Sequence, residues 1–218
     1  MITDRQRLAS LLRLMVITDR RAAGDRGVLD VVRLALAGGA TAIQLRDKDL
    51  TGRDLCRLGD RLADLCRDSG ALFIVNDRLD VALACGADGV HLGQDDLPVA
   101  RARALMGAGH VIGISAPTPE EAQAGERDGA DYLGVGAVFA TSSKGDAGEP
   151  IGPAGLSRVV AACSLPAVAI GGVNASNAAL AVTAGAVGVA VIAAVMAAAD
   201  PQAAAARLLA SVSDAVGM

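Results

Sequence analysis

The sequence predicts an α/β fold: a single (β/α)8 TIM barrel over residues 1–218, with a short helix ahead of the first strand. Three observations predict it. Short apolar runs alternate with amphipathic stretches eight times, at a spacing of about 20–30 residues, the rhythm of parallel strands joined by crossover helices. The chain is 52% hydrophobic but has only two Phe, one Tyr and no Trp. Its core must therefore be packed from small and branched aliphatics, which suit the interior of a parallel barrel. Polar residues also gather where the strand-like runs end, whereas the runs begin with Ala or Gly.

Taken in order, residues 4–12 read as a helix covering one end of the barrel. Leu14–Thr18 is the first strand. Residues 28–37 form an amphipathic helix closed by Gly38-Gly39, a C-cap signal, and strand two follows at 42–46. Residues 51–68 are helical, with Leu55, Leu58, Leu62 and Leu65 on one stripe. Strand three is Leu72–Asn76, a short helix 79–85 stops at Gly86, and strand four is Gly89–Leu92, its turn closed by Asp96 before Pro98. Helix 98–106 leads to strand 111–114. Residues 118–128 are helical, with Pro119 in the first turn and Glu120 and Glu121 near the positive end. Strand six is Tyr132–Val135, followed by a long loop through 140–153. Helix 154–162, strand 166–170, helix 175–184 capped by Asn174, strand 187–191, a short apolar turn and helix 201–215 complete the chain. Gly-Ala-Asp or Gly-Ala-Val recurs at Gly86, Gly129 and Gly185. We read it as a repeated helix-to-strand turn at the bottom of the barrel.

Composition excludes several classes. A net charge of −4 leaves no basic footprint for nucleic acid, and the scarcity of aromatics removes base-stacking platforms. Cys56, Cys66, Cys85 and Cys163 show no CxxC and no histidine at metal spacing, as expected of reduced thiols. The start is polar and mixed in charge, and the Ala-rich runs near the end are broken by Gly, Asp and Pro before they could span a membrane. A cytoplasmic protein with no membrane partner is the expectation. The oligomeric state is open.

The chemistry begins at Gly39–Leu50, GATAIQLRDKDL. Strand alternation puts Ile43 and Leu45 on one face and Gln44, Arg46 and Lys48 on the other. Two cations converging on one spot ask for an anion, and phosphate or diphosphate is the usual one. Only Lys48 and Lys144 are lysine among 20 basic residues. One ends this strand, and the other sits in the loop TSSKGDAGEP. Barrel active sites lie at the C-terminal ends of the strands. Those ends carry Asn76 and Asp77, then Gln94, Asp95 and Asp96, then Ser115, then Thr141, Ser142, Ser143 and Lys144, then Gly171 and Gly172, then the backbone of Ile192 and Ala193. Arg46, Lys48, Asn76 and Lys144 make a donor-rich patch. Asp77 and Asp96 come from adjacent strands and suit one hard cation, since Mg2+ takes one or two carboxylates, waters and phosphate oxygens. Gly171-Gly172 and the turn after strand eight offer backbone N–H groups to a second phosphate. No side chain reads as a nucleophile. His91 reads as core packing or a structural hydrogen bond, and His110 as exposed. Ionisation of a diphosphate ester, needing mainly charge stabilisation, fits such a pocket.

QLRDK at 44–48, ND at 76–77, GADGVHLGQDDLP at 86–98, GIS at 113–115, ADYLGVGAVFATSSK at 130–144 and AIGGVNASN at 169–177, in that order, resemble the thiamine-phosphate synthase (thiamine-phosphate diphosphorylase) family from about Leu14 to Pro201. The resemblance implies condensation of 4-amino-2-methyl-5-(diphosphooxymethyl)pyrimidine with thiazole phosphate, or its carboxylated tautomer, to thiamine phosphate and diphosphate. It implies that Gln44, Leu45, Arg46, Asp47, Lys48, Asn76, Ser115 and Lys144 hold the pyrimidine diphosphate. One Mg2+ per subunit would sit on Asp77 and Asp96. Thr141, Ser142, Ser143, Gly172, Ile192 and Ala193 would hold the thiazole phosphate. Arg46, Lys48, Ser115 and Lys144 carry the catalytic assignment, with Ser115 on the pyrimidine or on a diphosphate oxygen. Ala193 departs from the family's usual Ser, and AlaProThr after GIS from a histidine-containing run. Three other readings compete: a thiazole tautomerase of the same fold, which needs no diphosphate site; a phosphosugar isomerase or epimerase with Asp77 and Asp96 as acid and base; and a non-catalytic phosphate-sensing barrel.

Overall fold

The computed structural model describes residues 5–141 and 149–217. Eight parallel strands close into a barrel in sequence order, β1 pairing with both β2 and β8. They are β1 Leu14–Ile17, β2 Ala42–Leu45, β3 Leu72–Asn76, β4 Gly89–Leu92, β5 Val111–Ser115, β6 Tyr132–Val135, β7 Ala167–Ile170 and β8 Gly188–Val191. Every residue of β1, β2, β4 and β8 is buried. That follows from a sheet packed on its interior on one face and on helices on the other.

The helices are α1 Arg5–Leu11, α2 Arg20–Ala23, α3 Gly27–Ala37, α4 Gly52–Ser69, α5 Leu79–Ala84, α6 Val99–Met106, α7 Pro119–Asp128, α8 Gly152–Val160, α9 Ala178–Thr183, α10 Ala193–Met196 and α11 Pro201–Val216. Local chemistry sets their ends. The Thr51 side chain accepts from the Asp54 N–H at the start of α4, and Gly70 closes that helix in the left-handed region. Thr118 and Glu121 form a capping box on α7 with Pro119 in its first turn. Asp200 accepts from the Ala203 N–H ahead of Pro201 at α11.

The structure departs from the sequence reading in a few places. α2, the 3-10 turn Gly24–Arg26 and α10 are regular, where the sequence suggested loop or an apolar turn. Asn174 does not cap a helix at 175. Its Oδ1 accepts from the Ser176 N–H in a local turn, and α9 starts only after Asn177. His110 is half-buried, because Nδ1 reaches the Met106 carbonyl at 2.6 Å. Among the described residues, no helix is long and apolar enough to cross a membrane.

Candidate active site

A cavity of about 750 Å3 opens where the C-terminal ends of the strands converge. Arg46, Lys48, Asn76, Asp77, Asp96, Ser115, Thr141, Gly172, Ile192 and Ala193 all line it. Residues separated by nearly 150 positions in sequence thus meet in one hollow because a parallel barrel brings every strand's end to the same rim.

Each is positioned by its own strand end. Arg46 follows β2, and its backbone is held from β1: the Thr18 hydroxyl accepts its N–H at 2.9 Å and donates to its carbonyl at 3.1 Å. Thr18 is buried. Its role was unread in the sequence, although its place at the end of β1 was visible. Asp77 follows β3 with φ of 60°, the one non-glycine residue with positive φ among those described. Its N–H donates to the His91 carbonyl at 2.8 Å, which carries β3 one step past the strand and pins this uncommon conformation. Asp96 closes the tight turn after β4, where its Oδ2 accepts the Gly93 N–H at 2.7 Å. Ser115 ends β5, and its carbonyl accepts from Gln94 Nε2 at 2.6 Å.

The electrostatics of the acidic pair are informative. The Asp77 carboxyl is pushed up to about 6, first by burial, then by a hydrogen bond with Asp96 and by that residue's charge; Lys48 and Arg46 pull it down. Two carboxylates this close share a proton unless a cation lies between them. The two basic side chains are near enough to be felt but do not quench the pair.

The far side of the cavity is built from backbone. The chain after β6 runs along β7, with the Val138 N–H on the Ile170 carbonyl at 2.8 Å and the Phe139 N–H on the Gly171 carbonyl at 3.0 Å. This brings Thr141 beside Gly172. Gly171 and Gly172 have φ of 90° and 65°. A Cβ on Gly171 would stand 2.6 Å from Ala137, and one on Gly172 would collide with the Ala140 carbonyl. Only glycine fits here. Asn177 Nδ2 donates to the Gly172 carbonyl at 3.0 Å. α10 then starts at Ala193, which is exposed at the rim.

Three residues expected at the substrate lie off the cavity lining. Gln44 is buried below it. Leu45 packs outward towards Gly59 of α4. The Asp47 carboxylate pairs with Arg20 at 3.1 Å and accepts the backbone N–H groups of Asp49 and Leu50, so it braces the turn that carries Lys48. Ser142, Ser143 and Lys144 lie outside the described residues. His91 lines the cavity as well. The sequence signalled only its burial, because its partners Tyr132 and Ser115 are 41 and 24 residues away.

Comparison with known proteins decides the family. The family model described as thiamine monophosphate synthase matches residues 14–195. The chain belongs to the thiamine monophosphate synthase family. It is 57% identical over 195 residues to the thiamine-phosphate synthase of Moorella thermoacetica, covering 89% of this chain and 93% of that one. It is 55% identical over 189 residues to the thiamine-phosphate synthase of Roseiflexus castenholzii, covering 87% and 83%. The solved thiamine phosphate pyrophosphorylase of Pyrococcus furiosus superposes with a TM-score of 0.89 at 45% identity, covering 96% of this chain and 100% of that one. A 3-hexulose-6-phosphate synthase, 18% identical with a TM-score of 0.68, shares the fold. The chain is thus an enzyme of thiamine biosynthesis, a transferase of the thiamine-phosphate synthase type.

Proposed function

We propose that the cavity takes the pyrimidine diphosphate at its β2–β4 side and the thiazole phosphate at its β6–β8 side, and that the diphosphate departs before the new C–N bond forms. The observation that carries this reading is the division of one cavity into a side with two cations and two carboxylates and a side built from glycine backbone. Two anions of different charge need two such subsites.

Arg46 and Lys48 lie beside Asp77 and stabilise the departing diphosphate as compact and forked cations respectively do. Asn76 donates to the same group. Lys144, carried over from the family resemblance, would join them. The acidic pair fits Mg2+. Among the described residues no group of three or more His, Cys, Asp or Glu side chains is arranged around a metal. Asp77 and Asp96 alone would hold the ion, as Mg2+ with substrate phosphates requires. When bound, the ion supplies positive charge to the leaving diphosphate. The 4-amino group of the pyrimidine donates electron density to the methylene carbon as the C–O bond breaks, and the thiazole nitrogen then attacks that carbon. Gly172 and the Ile192–Ala193 backbone hold the thiazole phosphate.

The test is a Mg2+ titration of turnover. In Asp77→Ala and Asp96→Ala, turnover is expected to fall by about a hundredfold or more and the metal response to weaken. Unchanged rate and metal response in both variants would remove the acidic pair from the metal site.

A further inference from the structure

Below the cavity floor, a line of hydrogen bonds crosses the barrel interior and surfaces at Ser115. The Gln44 side chain bonds the Tyr132 hydroxyl. That hydroxyl lies 3.0 Å from His91 Nδ1, and His91 Nε2 lies 3.1 Å from Ser115 Oγ. Gln44 is 2% exposed, Tyr132 1% and His91 8%. The barrel register makes room for it. Asn76, His91, Gly113 and Tyr132 pair in one row across β3–β6. A Cβ on Gly113 would overlap the Tyr132 ring, and one on Gly134 would stand 2.8 Å from His91 Cε1. Two strand glycines are thus where the two rings need space. The one tyrosine in the chain fills the first.

Protons can be arranged along this line in two ways. In one, every bond points towards the cavity: a Gln44 amide N–H to the phenol oxygen, the phenol O–H to Nδ1, and Nε2–H to Ser115 Oγ. The serine proton is then left for the substrate. In the other, every bond is reversed, and Ser115 spends its proton on the imidazole and offers the cavity only an acceptor. The Gln44 end favours the first. Its Nε2 is the atom facing Met15 Sδ, at 3.4 Å. Burial raises the Tyr132 phenol, and the Gln44 bond opposes that rise, which is the effect of a donor on the phenol oxygen.

We propose that Gln44, Tyr132 and His91 are positioning residues that fix His91 as the neutral Nε2–H tautomer and so present Ser115 as a hydrogen-bond donor to the pyrimidine diphosphate. The identity of the acceptor rests on the function proposed above; the tautomer does not.

The experiment is nitrogen-15 NMR of histidine-labelled protein, without substrate, at about pH 7.5. The chain has two histidines. His110 serves as the contrast, because its Nδ1 faces a carbonyl and must carry the proton. The expected result is His91 protonated at Nε2 and His110 at Nδ1. His91 protonated at Nδ1, or at both nitrogens, would overturn the proposal whatever the enzyme's activity. In Tyr132→Phe the His91 tautomers are expected to mix, and kcat to fall about tenfold or more with the KM for thiazole phosphate unchanged. A folded Tyr132→Phe protein with unchanged kcat would remove the positioning role. If that variant does not fold, the tautomer in the unaltered protein still decides.

Discussion

Arg46 and Asp77 show how much a single residue's chemistry can announce. Two cations beside two carboxylates in a chain otherwise poor in lysine pointed to an anion and a metal before any geometry was known. The acidic side chains at strands three and four do meet: Asp77 and Asp96 share a hydrogen bond. What the sequence could not announce was the positive φ of Asp77, since Asp adopts either hand of turn and nothing local demands this one. Gln44, Leu45 and Asp47 lie off the cavity for a related reason. A motif lists neighbours in sequence, but strand alternation sends them to the interior, to the helix layer and to a bracing turn.

Two predictions belong at this scale. Ala193 stands at the rim where the family usually has Ser. Ala193→Ser is expected to lower the KM for thiazole phosphate by up to about tenfold, since a regained hydroxyl bond is worth roughly 0.5–1.5 kcal/mol. A raised KM would mean the site has no acceptor there. The thiols give a pH prediction. Burial, with the Asp88 charge as a lesser cause, pushes Cys66 up to about 12, and burial pushes Cys85 up to about 11, from an ordinary 9.0. Because the folded values lie above the unfolded one, the native state holds its full advantage below pH 9 and loses it as pH climbs through 11 to 12. At pH 8, iodoacetamide should therefore label native Cys66 and Cys85 far more slowly than in urea. Equal rates would show that these sites open readily.

Elements were legible where local rules decide them. All eight strands were visible as short aliphatic runs, and α4, α7 and α11 announced themselves through Thr51, Thr118 with Pro119, and Asp200 with Pro201. α2 and α10 were missed because four residues are too few to show a period. Asn174 misled because the same side chain that caps helices also closes turns. The β7 end is the element on which the second anion subsite depends. Gly172→Ala would set a Cβ against the Ala140 carbonyl at a φ of 65°. A stability loss of roughly 1–2 kcal/mol should accompany a rise of several-fold or more in the KM for thiazole phosphate, with the KM for the pyrimidine substrate little changed. Equal effects on both substrates would place Gly172 in general packing and not in one subsite.

For the molecule as a whole, the barrel was legible because its rhythm repeats eight times. The cavity's contents followed from one rule, that chemistry sits where parallel strands end. The line from Gln44 through Tyr132 and His91 to Ser115 was not legible. It is made of interior groups on four different strands, brought together only by the register of the closed sheet. The central claim is that one cavity holds two anionic substrates and releases diphosphate with the help of a divalent ion. Diphosphate release measured on purified protein given the pyrimidine diphosphate, with and without thiazole phosphate, in Mg2+ and in EDTA, tests it most directly. Release that requires both substrates and the metal is the predicted result. Release undiminished in EDTA, or none with both substrates and Mg2+, would contradict it.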